Sequence, residues 1–159
     1  MADRLSETEI TVAVARYLGV NGWRIVSMAL PGGGSGVAFN PSQISTRGVS
    51  PGAIIPDLIG QHQRGDFLLV ESKPRPNVSD AIKLRELLTD DYKDSVERIL
   101  GSDCIVHLGA AFGPRSLRDM KTSLEVQSLL GTGFEIGEGG DVVIPWDESG
   151  LLVRNLDGA

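Results

Sequence analysis

Residues 53–76 read AIIPDLIGQHQRGDFLLVESKPRP, two apolar runs joined by a short polar turn. Runs of this length, rich in Ile, Leu, Val and Phe and bounded by Pro and Gly, predict buried strands at residues 54–60 and 67–73. Three charged residues interrupt that pattern: Asp57 in the first run, Glu71 and Lys73 at the end of the second. An unpaired carboxylate or ammonium in such a place is strongly disfavoured or shifts its pKa, so the three charges need partners.

Strand geometry supplies them. Residues two apart share a face, so Glu71 and Lys73 point one way and Ser72 the other. A hairpin centred near Arg64 sets residue 57 opposite residue 71, and cross-strand partners also share a face. Asp57, Glu71 and Lys73 therefore converge. Two carboxylates a few ångströms apart repel, and a divalent cation between them relieves the repulsion. Hard oxygen donors suit magnesium, with manganese as a substitute. A lysine beside that ion can orient and help deprotonate a water, or stabilise charge developing on a phosphate. The plainer alternative is an ion-pair cluster at the end of a hairpin, with Lys73 bound to Asp57 or Glu71.

The remaining chain alternates helix and strand signals. Ser6 and Glu9 form a capping box, Leu5 and Ile10 a hydrophobic staple, and Ile10, Val14, Tyr17 and Leu18 recur on one helical face. "GVNG" at 19–22 ends that helix, and 23–30 reads as a strand. Residues 31–52 form a long loop rich in Gly, Ser and Pro, of the kind that is functional or mobile. "PGGGSG" within it lacks the GK[ST] ending of a phosphate loop. After "PRPN", Ser79 is the expected cap of a helix to about residue 100, with Leu84, Leu88, Tyr92 and Val96 spaced by fours and a break at Thr89-Asp90. A strand at 104–112 follows. Next comes a helix over 116–130 with Leu117, Met120 and Leu124 on its apolar side, then tail strands near 141–145 and 151–155.

The Pro56-Asp57 pair, a short spacer and Glu71-Ser72-Lys73 after an apolar strand resemble the PD-(D/E)XK nuclease superfamily, whose members include restriction endonucleases, junction resolvases and repair nucleases. The resemblance covers about residues 6–112, where the order of elements is also the family's. It implies an α/β fold: a three-layer restriction-endonuclease-like core, its mixed central sheet flanked by helices in the order αβββαβ. We expect one domain over 1–159, with a helix and an acidic β-rich extension at 113–159. It further implies Asp57 and Glu71 as ligands of a magnesium ion and Lys73 as the catalytic lysine. The family often adds an acid from its first helix. Glu9 has its place in the capping box, whereas Glu7 shares a face with Ile10 and Val14, so Glu7 is the expected third ligand and Glu9 the reserve.

The expected activity is therefore magnesium-dependent hydrolysis of DNA, of restriction or defence type. The alternatives are a junction or repair nuclease, or a catalytically silent module that binds nucleic acid or protein. Ser35, Arg47 and Arg75 are candidate phosphate contacts. Cutting both strands of a duplex suggests a homodimer or a subunit of a larger complex. Charge speaks against a simple basic footprint, since the net value is −6. However, residues 134–159 hold six acids and one base, leaving −1 for the rest.

Other function classes find little support. One cysteine, Cys104, and two separated histidines, His62 and His107, make no zinc constellation. Cys104 reads as a buried inert thiol, His107 as a satisfied strand residue, and Trp23 and Trp146 as core or interface anchors. With 41% apolar residues, no run of membrane-spanning length and no apolar segment in "MADRLSETEI", a globular cytoplasmic protein is expected.

Overall fold

The computed structural model describes residues 4–30, 36–41 and 52–152. The first helix, α1 (Glu7–Val20), starts where its capping box predicts: Ser6 Oγ takes the Glu9 amide while Glu9 Oε1 takes the Ser6 amide, both at 3.1 Å. It ends at Asn21, and Gly22 (φ 86°) turns the chain into strand β1 (Arg24–Met28). Then come β2 (Leu58–Gln61), β3 (Phe67–Ser72), α2 (Val78–Arg85), a single 3-10 turn (Glu86–Leu88) and α3 (Asp90–Leu100). The chain continues through β4 (Val106–Phe112), α4 (Leu117–Leu129), β5 (Thr132–Ile136) and β6 (Val142–Asp147).

The six strands among the described residues form one mixed sheet in chain order. The β1–β2 and β2–β3 pairs are antiparallel, β3–β4 and β4–β5 parallel, and β5–β6 antiparallel again. Helices cover both faces, so the expected α/β architecture with a mixed central sheet is the observed one. On one face α1 packs Ile10, Val14 and Leu18 against Leu58, Leu68, Val70 and Phe134. On the other, Ala81, Leu84, Leu87, Tyr92, Val96 and Val126 meet Ile59, Leu69, Leu108 and Phe112. The alternation of Leu68 and Val70 with Phe67 and Leu69 across these two cores shows why β3 reads as one continuous apolar run: it is buried on both sides.

Several details differ from the sequence expectation. The cap of α2 is Asn77, not Ser79, because Asn77 Oδ1 takes the Asp80 amide at 3.0 Å. The tighter 3-10 turn changes the helical phase before α3, so Leu87 is buried and Leu88 is 55% exposed. In α4 the predicted apolar side faces outward: Leu117 and Leu124 are 89% and 68% exposed, and the sheet side carries Asp119, Ser123 and Val126. Finally, β5 was absent from the expected strands, and it is the partner of β6. Gly133 permits this pairing, since a Cβ there would lie 2.7 Å from the Trp146 ring. Of the tail strand expected at 151–155, Leu151 and Leu152 are described and are not in a strand; the rest lies outside the described residues.

Candidate active site

The observed register is the one inferred from the turn. Leu58 pairs with Val70 and Ile59 with Leu69, which places residue 57 opposite residue 71 at the C-terminal end of β3. The Ser72 amide donates to Asp57 Oδ2 at 2.7 Å and fixes that carboxylate at the strand end. As alternation requires, Ser72 turns its side chain to the opposite face, where its Oγ accepts from Thr11 Oγ1 of α1 at 2.9 Å. This buried hydroxyl pair ties α1 to the strand that carries the acids. Beyond β3 the chain remains attached to β4, with the Lys73 amide donating to the Ala111 carbonyl at 3.0 Å.

The Asp57 and Glu71 carboxyl groups lie close enough to shift each other's titration. Burial pushes Glu71 up to about 8, and the charges of Asp57 and Asp80 add to that rise. Asp57 is also raised, by burial first and by Glu7, against the lowering effect of the Ser72 amide. The pair retains a proton where two ionised carboxylates would repel.

Lys73 does not sit on this pair. Its Nζ donates to Glu7 Oε1 at 2.9 Å and lies 3.6 Å from Asp80 Oδ2. The hydrogen bond to Glu7 raises the lysine above its ordinary value. Glu7 opens α1 and Asp80 lies in the first turn of α2, so Lys73 spans the sheet end between the two helical layers. Glu9 is held in its cap, as its spacing predicts. Glu7, Thr8, Thr11 and Asp57 line one cavity of about 290 Å³; Glu71, Lys73, Asn77 and Asp80 line a narrow cleft on the other side.

The donor set suits a hard divalent cation. Glu7 and Asp80 meet the Lys73 ammonium at the sheet end, and the Asp57 and Glu71 carboxyls stand beside them. Among the described residues no three His, Cys, Asp or Glu side chains are grouped to hold an ion. Magnesium keeps several waters and needs only one or two carboxylates. Glu7, expected as a third ligand, lies near enough to Asp57 to disfavour its charge, but its carboxylate is engaged by Lys73.

Sequence reasoning missed Asp80. Asn77-Val78-Ser79-Asp80 has the spacing of a capping box, and with Ser79 as the expected cap that spacing is hidden. It also missed Thr11, whose partner is 61 residues away. Of the candidate phosphate contacts, Ser35 and Arg47 lie outside the described residues. Arg75 lines a cavity of about 170 Å³ with Arg4 and Ser116, and its Nε is 3.6 Å from Asp119 Oδ1. His107 is satisfied, its Nε2 lying 2.9 Å from Asp66 Oδ2. Cys104 is half-buried where a buried thiol was expected, and burial pushes it up. Both tryptophans are core residues: Trp23 meets the His62 ring edge-on, and Trp146 stacks on Phe112. No described helix is long and apolar enough to cross a membrane.

No family model and no curated protein matches the chain. Among solved structures it is similar to an XisH family protein from Nostoc punctiforme, at 14% identity over 88% of this chain and 99% of that one, with a TM-score of 0.43. An fdxN element excision controlling factor protein from Anabaena variabilis gives 14% identity over 87% and 98% of the two chains, with the same TM-score. EndoMS in a complex with dsDNA gives 16% identity over 81% of this chain and 45% of its own, with a TM-score of 0.38. At this level of identity and superposition, none of them assigns a chemistry to this chain.

Proposed function

We propose that the protein is a metal-dependent nuclease that hydrolyses phosphodiester bonds of DNA at the C-terminal end of β3. The observation that carries this reading is the pairing of the Asp57 and Glu71 carboxyls across the β2–β3 register, with Lys73 nearby. Asp57 and Glu71 would hold one magnesium or manganese ion, Glu71 releasing its proton on binding. The bound ion supplies a Lewis acid and a water of lowered pKa. Ser72 keeps Asp57 aimed at the site through its amide, and Thr11 keeps Ser72 in place. Lys73, a point charge at the sheet end, would donate to a non-bridging phosphate oxygen or to the attacking water. Two copies related by a twofold axis would serve the two strands of a duplex.

Supercoiled and linear DNA incubated with magnesium or manganese should be cut by the wild type. Asp57→Ala, Glu71→Ala and Lys73→Ala should each lower the rate by about a hundredfold or more, with far-UV circular dichroism unchanged. Absence of cleavage with either metal, or full activity in all three variants, overturns the reading. The pairing of Lys73 with two carboxylates favours a second reading, a catalytically silent binding module on the same fold. It predicts a heat-free titration with manganese and dependence on a protein partner.

A further inference from the structure

Three of the described helices carry an acid at the third helical position, and one of them is used differently. Glu9 in α1 and Asp119 in α4 both reach back to the backbone of their N-cap residue and close a capping box. Asp80 holds the same place in α2, where the Asn77 side chain takes its amide, but its carboxylate turns to Lys73. From the other helical layer Glu7 takes the same ammonium at 2.9 Å. Both acids belong to first turns, and both are anchored by capped helices whose positions are fixed by the two cores.

The consequence is electrostatic. Lys73 is two residues from Glu71, and its stem is long and rotatable. Left free, its ammonium would be drawn to the Asp57–Glu71 pair and would compete there with any cation. We propose that Glu7 and Asp80 are positioning residues that clamp Lys73 from both sides of the sheet, holding its ammonium off the Asp57–Glu71 pair so that the pair stays open to a divalent cation. This rests on the metal-site reading of that pair. It adds Asp80 to the site and gives Glu7 a role other than ligation.

Calorimetric titration with manganese tests the clamp without reference to cleavage. Asp80→Asn and Glu7→Gln should each weaken manganese binding by about tenfold, the scale of outer partners at metal sites. Adding Lys73→Met to either variant should return the affinity to that of Lys73→Met alone, because no ammonium then remains to be held away. Failure of that rescue overturns the clamp, since the acid would then be binding the ion or supporting the fold directly. Unchanged affinity in both single variants overturns it equally. A second arm uses the metal-free protein: melting midpoints of Lys73→Met, Asp80→Asn and the double variant should be non-additive, and additive midpoints count against the clamp. If the wild type takes up no manganese, the nuclease reading fails, and the melting cycle still decides whether Asp80 holds Lys73.

Discussion

Glu71 holds its proton at pH values where an exposed glutamate would have lost it, and the effect reaches the stability of the whole chain. Its folded-state pKa of about 8 lies above the ordinary 4.5. Between these values the unfolded chain releases a proton that the folded chain keeps, so the folded state loses ground as pH rises. The contribution is fully present below about 4.5 and is lost as pH climbs through about 8; Asp57, also raised, acts in the same direction. Asp66 acts oppositely. The His107 hydrogen bond lowers it, so its contribution is present above the ordinary 3.8 and is lost as pH falls through its lower folded-state value. Metal-free wild type should therefore show a melting temperature that falls from pH 5 to pH 8, and Glu71→Gln should flatten that fall. An equal slope in both proteins counts against the pair. The convergence of Asp57 with Glu71 was legible in sequence, because a two-residue period and a turn centre fix cross-strand neighbours. Asp80 was not legible, because which of several acids meets Lys73 depends on how α2 is docked.

At the scale of elements, local patterning succeeded where one period ruled and failed where the period changed. The α1 helix kept its capping box, its apolar face and its Gly-rich end. Between α2 and α3 the regular spacing of Leu84, Leu88, Tyr92 and Val96 holds for Leu84, Tyr92 and Val96, yet the 3-10 turn at Glu86–Leu88 buries Leu87 in place of Leu88. Leu87→Ala should accordingly lower stability by roughly 2–5 kcal/mol, whereas Leu88→Ala should stay within about 0.5 kcal/mol, as urea unfolding would read directly. Equal losses would contradict the phase change. In α4 the apolar side read from spacing is exposed, since a helix beside parallel strands buries whichever residues its docking angle presents, here Val126 among small and capped polar ones. Strand β5 went unread because "TGFEI" is short and its pairing partner β6 is defined by a glycine–tryptophan fit across strands.

For the molecule as a whole, charge sets a condition on function. The chain carries −6, and the sheet end that holds the site gathers four carboxyls around one lysine. Phosphate backbone brought there meets repulsion unless a divalent cation intervenes. Association of a labelled duplex with Lys73→Met, followed by fluorescence anisotropy, should therefore need magnesium and be lost with a chelator; equal binding in both conditions would refute this. The sequence by itself determined the α/β class, the first helix with its cap, and the β2–β3 register that sets Asp57 against Glu71. These follow from periodicity and turn geometry, which act over a few residues. Only the tertiary structure decided that Lys73 is held by Glu7 and Asp80, that Thr11 supports Ser72, that Leu87 is buried in place of Leu88, and which side of α4 is buried. Those contacts join residues far apart in the chain, and their geometry exists only after the helices have packed on the sheet.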